Sequence, residues 1–139
     1  MAEYRDLYRE FQEARAEIVG ISVDPPSKSA DLSSSLRLPF PLLSDVDKKV
    51  LVEWKGLNTA ARGGIAFPST WVISKDLVVS YRVLERKAKR VDPKPVLRFL
   101  RGDLDRANAQ DLRTIHLNVQ GTKRWVKDLV GNALGKKRR

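Results

Sequence analysis

The chain has 139 residues, of which 42% are hydrophobic and 32% charged, and its formal net charge is +10. This composition is typical of one soluble globular domain, and no apolar run approaches the roughly 18–20 residues of a membrane span. The sequence contains no cysteine and a single histidine, which excludes disulfides, thiolate metal sites and a thiol nucleophile among these residues. We therefore expect no metal site and no cofactor.

The positive charge is concentrated in the second part of the chain. Residues 1–81 carry 10 Lys and Arg against 11 Asp and Glu, whereas residues 82–139 carry 17 against 6. A basic segment of this kind attracts nucleic acid, an anionic membrane or an acidic protein. The ordinary alternative is a segment that only keeps the chain soluble or has no function, and charge alone names no partner.

The first predicted element is an amphipathic helix over residues 2–14. Its apolar side chains recur at the spacing of one helix face, and they are Tyr4, Leu7, Tyr8 and Phe11. The β-branched run Ile18–Val23 then predicts a strand buried on both faces, as in a parallel sheet. After the prolines that end this strand, Ser27 is expected to cap a second helix. The apolar positions of that helix are Ala30, Leu32 and Leu36.

A second strand and a third helix follow. Leu42–Ser44 reads as a short strand, and Asp45 or Asp47 can cap the helix after it. Gly56 ends that helix, and residues 58–67 are predicted to form a loop. The side chains expected to face inward are Val46, Val50, Leu51 and Trp54.

A β-hairpin and a fourth helix complete the predicted body. Ser69–Ile73 and Leu77–Val83 form the hairpin, and Asp92 with Pro93 begins the helix as N-cap and first helical residue. Its apolar positions are Val96, Leu97 and Leu100. The alternation of helices and strands predicts an α/β sandwich.

Beyond Gly102 the pattern is weaker. Thr114–Val119 alternates apolar and polar residues and is a weak strand candidate, and Thr122 is expected to cap a last helix. We therefore divide the chain into an α/β domain over residues 1–101 and a basic C-terminal extension over residues 102–139.

Four stretches of the sequence carry a family pattern. They are YRDLYREF from Tyr4, AEIVGISVD from Ala16, LPFPLLSD from Leu38 and PSTWVI from Pro68. Together they resemble the AhpC/TSA group of peroxiredoxins, and within it the bacterioferritin-comigratory or Q-type proteins, over roughly residues 4–100. The resemblance implies a thioredoxin-like three-layer α/β sandwich. It also implies thiol peroxidase activity, in which a cysteine thiolate attacks peroxide and the sulfenic acid is reduced through a second thiol and thioredoxin.

The chain differs from this family at the positions of the catalytic residues. The resemblance places the peroxidatic cysteine before Met1 and the resolving cysteine of Q-type members at about Ala2, and neither thiol is present. Pro68 occupies the place expected for the family's partner arginine. Pro68 and Thr70 resemble instead the cis-proline segment of thioredoxin-like proteins, so both are expected to be structural. We expect the chain to be catalytically silent, with no catalytic residue of its own.

The resemblance also implies a missing strand. In the family, a strand before the peroxidatic cysteine lies between the strands that match Ile18–Val23 and Ser69–Ile73. Without that strand, unpaired backbone groups cost about 1–3 kcal/mol each when buried. Another segment then fills the gap, the two strands meet directly, or the chain is poorly stable and associates with itself through the exposed edge. Thr114–Val119 is the spare strand candidate.

Two functions from different classes remain open. The first is a peroxiredoxin-like antioxidant protein that is inactive as this chain, and a thioredoxin-type reductant is expected only for a longer, cysteine-bearing form. The second is a non-enzymatic module that binds nucleic acid, an anionic membrane or a protein partner. Because no signal peptide is visible, we expect a cytoplasmic location. The basic residues for binding would be Arg86, Lys87, Lys89, Arg90, Lys123, Arg124 and Lys127.

Overall fold

A computed structural model describes residues 1–61, 63–85 and 90–103. Its helices are α1 (Ala2–Asp6), α2 (Tyr8–Glu13), α3 (Pro26–Leu36), α4 (Lys49–Glu53) and α5 (Pro93–Arg101). Its strands are β1 (Gly20–Ser22), β2 (Leu42–Ser44), β3 (Leu57–Asn58), β4 (Ile65–Ala66), β5 (Ser69–Ile73) and β6 (Val79–Leu84). The strand predicted at Thr114–Val119 and the helix predicted from Thr122 lie outside the described residues, so the boundary of the C-terminal extension stays a prediction.

The strands form three separate two-stranded sheets in the part of the chain that the structure describes. β1 and β2 are parallel, with Gly20 opposite Leu42, and β5 and β6 are antiparallel, with Val72 opposite Tyr81. β3 and β4 form a short antiparallel pair in the segment predicted as a loop. That prediction is wrong because two-residue strands are too short to show an alternating pattern. Among the described residues β1 and β5 do not pair, so the two strands do not meet directly.

Helix α1 is linked to the end of α3, and α3 packs on β2. The Arg5 guanidinium donates to the carbonyl oxygen of Leu36 at 2.9 Å, which joins α1 to the end of α3. The hydroxyls of Ser29 on α3 and Ser44 on β2 are 2.9 Å apart. Ser29 is only 3% exposed, so α3 contacts the sheet through a buried serine hydroxyl.

Helices α1 and α4 lie on opposite faces of β5. Thr70 and Trp71 are successive residues of β5, so their side chains point to opposite sides of the sheet. Thr70 bonds to α1, whereas the Trp71 ring lies 5.5 Å from the Trp54 ring, next to α4. Helices therefore cover both faces, as predicted for a three-layer α/β sandwich.

The main core lies between α2, the β5–β6 hairpin and α5. Its buried members are Phe11, Tyr81, Val96 and Leu97, and Val96 is 2% exposed. The apolar faces predicted for the first and last helices of the body are thereby confirmed. The partly buried side chains packed against this core are Tyr4, Leu7, Ala16, Ile18, Val72, Val83, Phe99 and Leu100.

Helix α5 begins where the sequence predicts. The Asp92 carboxylate accepts a hydrogen bond from the backbone N–H of Lys94 at 2.9 Å, and Pro93 is the first helical residue. The helix ends at Gly102, whose φ of 82° is a left-handed conformation that glycine adopts without a steric cost. The capping signal predicted at the start of this helix is confirmed.

The first helix is not continuous, contrary to the prediction of one helix over residues 2–14. Leu7, with φ −99° and ψ 5°, separates α1 from α2. Leu7 still takes part in a helical backbone hydrogen bond on each side of the break: its N–H donates to Glu3 at 3.2 Å, and its carbonyl accepts from Phe11 at 3.1 Å. The interruption is therefore local, and the predicted apolar face still meets the core.

The predicted start of α3 is wrong, and of its three predicted inner positions only Leu36 is half-buried. Pro25 is the N-cap residue and Pro26 is the first helical residue, so Ser27 lies within the first turn. The fixed φ of a proline suits that first helical position. Ala30 and Leu32 are exposed. Their expected place against the sheet is taken by Ser29, whose hydroxyl pairs with Ser44.

The N-cap residue of α4 is Lys48, so neither of the two aspartates expected to cap this helix is at that position. The Asp45 carboxylate is buried and accepts from the backbone N–H of Leu51 at 3.0 Å, in the first turn. Asp47 instead forms an exposed ion pair with Lys49 at 3.1 Å. Val46 is 50% exposed, so its predicted inward position is wrong. The buried positions predicted for Leu51 and Trp54 are confirmed.

Candidate functional site

The residues that the resemblance connects with catalysis lie at the start of α1 and at the start of β5. Ala2 is the first residue of α1, and Thr70 is the second residue of β5. A hydrogen bond of 2.6 Å between the Tyr4 hydroxyl and Thr70 Oγ1 joins the two elements directly. The structure thus places the end of the helix that carries Ala2 beside the strand that carries Thr70.

Tyr4 is the polar link that the sequence did not reveal. Burial raises the pKa of the Tyr4 phenol, while its hydrogen bond to Thr70 acts in the opposite direction and is smaller. The phenol is therefore neutral at physiological pH and can donate its proton. The helix pattern counted Tyr4 only as an apolar residue, although the hydroxyl of a buried tyrosine usually needs a partner.

Pro68 does not have the geometry expected of a cis-proline. No peptide bond among the described residues is cis, so that expectation is wrong. The Pro68 carbonyl accepts from the backbone N–H of Glu85 at 2.9 Å and extends the β5–β6 pairing by one step. Proline is accepted there because it precedes the strand and has no N–H to offer the ladder.

The outer edge of β5 has no strand partner in the described part of the chain. The bond from Glu85 to Pro68 and the pairing of Thr70 with Val83 direct the backbone groups of alternate residues toward β6. Because backbone groups alternate along an antiparallel strand, those of Ser69 and Trp71 point to the other side. That edge is open.

The outer edge of β1 is open in the same way. The N–H of Gly20 donates to Pro41 at 2.9 Å, and the carbonyl of Ser22 accepts from Asp45 at 2.7 Å, so both residues direct their backbone groups toward β2. Ile21, which lies between them, directs its backbone groups away from β2. β1 spans three residues rather than the six predicted, and Ile21 is half-buried rather than buried on both faces.

Helix α1 bridges these two open edges. Atoms of Met1 and Leu42 fill the space that a Cβ on Gly20 would need, which explains the glycine in β1. Three residues further along α1, Tyr4 reaches Thr70 on β5. One interposed strand would separate β1 from β5 by about 9.6 Å, twice the usual spacing. We call the space between the edges at Ile21 and Trp71 the strand slot.

On the α4 face, aromatic and cationic side chains cover β5. The Arg82 guanidinium lies 4.4 Å from the centre of the Trp71 ring, a cation–π contact across the hairpin. Arg82 and Trp71 are directly opposite each other in the β5–β6 register. The strand pattern predicts the hairpin but not this pair, because the register of the hairpin depends on the irregularity after Val72.

Of the seven basic residues predicted to bind a partner, one lies in the described part of the chain. Arg90 is described and exposed, just before α5. The other members of that set, Arg86, Lys87, Lys89, Lys123, Arg124 and Lys127, lie outside the described residues. Binding of nucleic acid, an anionic membrane or a protein through this set stays a prediction.

The described residues contain neither a metal-binding cluster nor a helix that could span a membrane. No group of three or more histidine and acidic side chains in residues 1–61, 63–85 and 90–103 is placed to hold a metal ion. Across the same ranges, none of the helices has the length and hydropathy to cross a bilayer. The cytoplasmic location stays a prediction.

Comparison with known proteins identifies the class of this chain. The model of the AhpC/TSA family matches residues 1–82, which is more than half of the sequence. The chain therefore belongs to the AhpC/TSA family of peroxiredoxins. The fold and the family expected from the sequence pattern are confirmed.

The relatives place it within the Q-type branch. It is 42% identical over 76 residues to peroxiredoxin Q, chloroplastic, of Populus jackii, across 55% of this chain and 35% of that protein. With the protein of the same description from Arabidopsis thaliana, it shares 34% identity over 100 residues, across 70% of this chain and 45% of that one. The chain thus spans less than half the length of these curated relatives.

Solved structures agree with this assignment. Peroxidoxin BcpB from Mycobacterium tuberculosis has 30% sequence identity and a TM-score of 0.64, covering 75% of this chain and 68% of the other. The bacterioferritin comigratory protein of Xanthomonas campestris has a TM-score of 0.63 at 23% identity, a level that supports the shared fold alone.

Proposed function

We propose that this chain is the scaffold of a Q-type peroxiredoxin and that it does not reduce peroxides with its own residues. The observation that carries the proposal is the family match over residues 1–82 in a sequence that contains no cysteine. Peroxide reduction of this type needs a thiolate. Its sulfur bonds to one peroxide oxygen and becomes a sulfenic acid as the O–O bond breaks, and the other oxygen takes a proton and leaves as water or an alcohol. No other side chain of this chain can supply that cycle.

The local geometry supports a scaffold role. The contact between Tyr4 and Thr70 holds α1 against β5, and Met1 holds the same helix against Gly20 of β1. The start of α1 is thereby fixed beside the strand slot. In a longer protein that supplies the family's strand and cysteine, this arrangement would position a thiol at the end of the slot, and a thioredoxin-type protein would be the reductant.

A coupled assay with thioredoxin, thioredoxin reductase and NADPH tests the first part of the proposal. The purified 139-residue chain should consume hydrogen peroxide no faster than a buffer control, with the Arabidopsis thaliana relative as the positive reference. The single methionine of the chain can be oxidised once to its sulfoxide, so the readout is multiple turnover rather than loss of one equivalent. Sustained turnover by this chain would contradict the proposal.

A further inference from the structure

The strand slot is the feature of this fold that the described residues leave incomplete. The backbone groups of Ile21 and Trp71 point into it from opposite sides, and no backbone hydrogen bond outside the sheets satisfies either residue within the described ranges. Buried N–H and C=O groups are almost always paired. A two-stranded sheet is also marginal by itself in water, so a strand that paired with both edges would join two weak sheets into one.

The two edges border one core, which limits what can occupy the slot. Ile18, which leads into β1, and Val72 on β5 both pack against the cluster around Phe11. A strand in the slot would therefore present one face to α1 and α2. Its other face would lie on the α4 side, where the half-buried Trp71 ring contacts the Arg82 guanidinium, a surface that polar side chains can meet. A strand with one apolar and one polar face fits these surroundings.

The C-terminal sequence contains such a segment within reach. Arg101, at the end of α5, forms an ion pair of 2.8 Å with Glu10 on α2, so the chain leaves α5 beside the helix layer that borders the slot. Ten residues separate Asp103 from Thr114, and ten extended residues span at most about 33–36 Å. In Thr114–Val119 the apolar residues alternate with Thr, His and Asn.

We propose that Thr114–Val119 occupies the strand slot of its own molecule and pairs with the open edges of β1 and β5. The apolar side chains of the segment would face α1 and α2, and its polar side chains would face the α4 side. This assigns the C-terminal extension a role in completing the sheet, which goes beyond the function proposed above and does not depend on it.

Amide hydrogen exchange of the full chain, read residue by residue by NMR, tests the proposal. The amides of Ile21 and Trp71 should exchange at least about tenfold more slowly than in a Leu117→Pro variant, because proline removes a ladder donor from the segment. The amide of Val72, which points to β6, serves as the internal reference. Ala107→Pro, outside the segment, is the matched control and should leave the protection of Ile21 and Trp71 unchanged.

The lack of cysteine in the chain allows a second, independent measurement. Ser69→Cys is combined in turn with His116→Cys and with Asn118→Cys, all expected on the α4 side of the sheet. Under mild oxidation at least one pair should form a disulfide within the monomer, because adjacent strands bring Cβ atoms within disulfide distance. Ser69→Cys with Asn132→Cys is the control and should not.

Three results would overturn the proposal. The first is fast exchange of Ile21 and Trp71 in the intact chain. The second is slow exchange of the Ile21 and Trp71 amides that is unchanged in the Leu117→Pro variant. The third is protection or disulfide formation that appears only in a dimer on sedimentation, which would show that a second copy fills the slot. If Leu117→Pro also unfolds the hairpin, as the Val72 amide would reveal, the disulfide pairs decide the question alone.

Discussion

The β5–β6 side and the β1–β2 side of this molecule are built in different ways. On the β5–β6 side, a hairpin of five- and six-residue strands packs with α2 and α5 around Phe11 and Val96. On the β1–β2 side, two three-residue strands carry α3, whose buried residue is Ser29 and whose Leu32 is 41% exposed. Apolar burial supplies most of the stability of a domain, so stability should be concentrated on the hairpin side.

The largest expected difference is between a core residue on the hairpin side and an apolar residue on α3. Phe11→Ala should lower the free energy of unfolding by about 3–5 kcal/mol, because the ring is 3% exposed and its removal leaves a cavity. Leu32→Ala should change it by less than about 0.5 kcal/mol. Urea denaturation followed by circular dichroism measures both. Equal losses in the two variants would show that the contrast between the sides is wrong.

A smaller effect is expected at the start of α5. Asp92→Ala removes the carboxylate that accepts from Lys94 and should destabilise the chain by about 1 kcal/mol. Asp31→Ala, an exposed position within α3, is the matched control and should have almost no effect. If the two variants have the same denaturation midpoint, the cap of α5 does not contribute as described.

The hydrogen bond between Tyr4 and Thr70 should contribute a similar amount to the free energy of unfolding, and a double-mutant cycle can measure it separately. Tyr4→Phe removes the hydroxyl that bonds to Thr70 and should cost about 0.5–1.5 kcal/mol. In a double-mutant cycle with Thr70→Val, the two losses should be less than additive, since either change already breaks the bond. Strict additivity would mean that this contact contributes nothing to stability.

The smallest effect is a dependence on alkaline pH. Burial raises the pKa of Tyr4, Tyr8 and Tyr81 in the folded chain. Below the ordinary tyrosine pKa of about 10, both folded and unfolded states keep the proton and stability does not change. Above it, the unfolded state ionises first and stability falls as pH rises. Urea midpoints between about pH 9 and about pH 11 should show this fall, and Tyr4→Phe should reduce its slope.

The sequence predicted best where local signals and tertiary packing agree. The start of α5 at Asp92 and Pro93, and the strand at Ser69–Ile73, needed only capping preferences and a β-branched run. The prediction failed on α3, where the apolar side chain of Leu32 is exposed and the polar side chain of Ser29 is buried. That outcome depends on the hydroxyl of Ser44, a residue distant in sequence, which periodicity cannot register.

The candidate site was predictable in part, and mainly through the family resemblance. The resemblance located Ala2 and Thr70 and the gap between the strands around Ile21 and Trp71. It gave no indication of the Tyr4 hydrogen bond, because that bond joins residues 66 positions apart. The trans geometry before Pro68 was missed because the resemblance, rather than local chemistry, supported a cis bond. Cis is a minority state for proline in folded proteins.

The central claim is that these 139 residues form a peroxiredoxin scaffold without a thiol of their own. Its most direct test is peroxide turnover by the full chain extended at its N-terminus with the strand and cysteine segment of the Arabidopsis thaliana relative. Leu117→Pro is the background, because it frees the strand slot if Thr114–Val119 occupies it. The account predicts thioredoxin-dependent turnover that disappears when the added cysteine is changed to serine. A folded, extended protein with no turnover would contradict it.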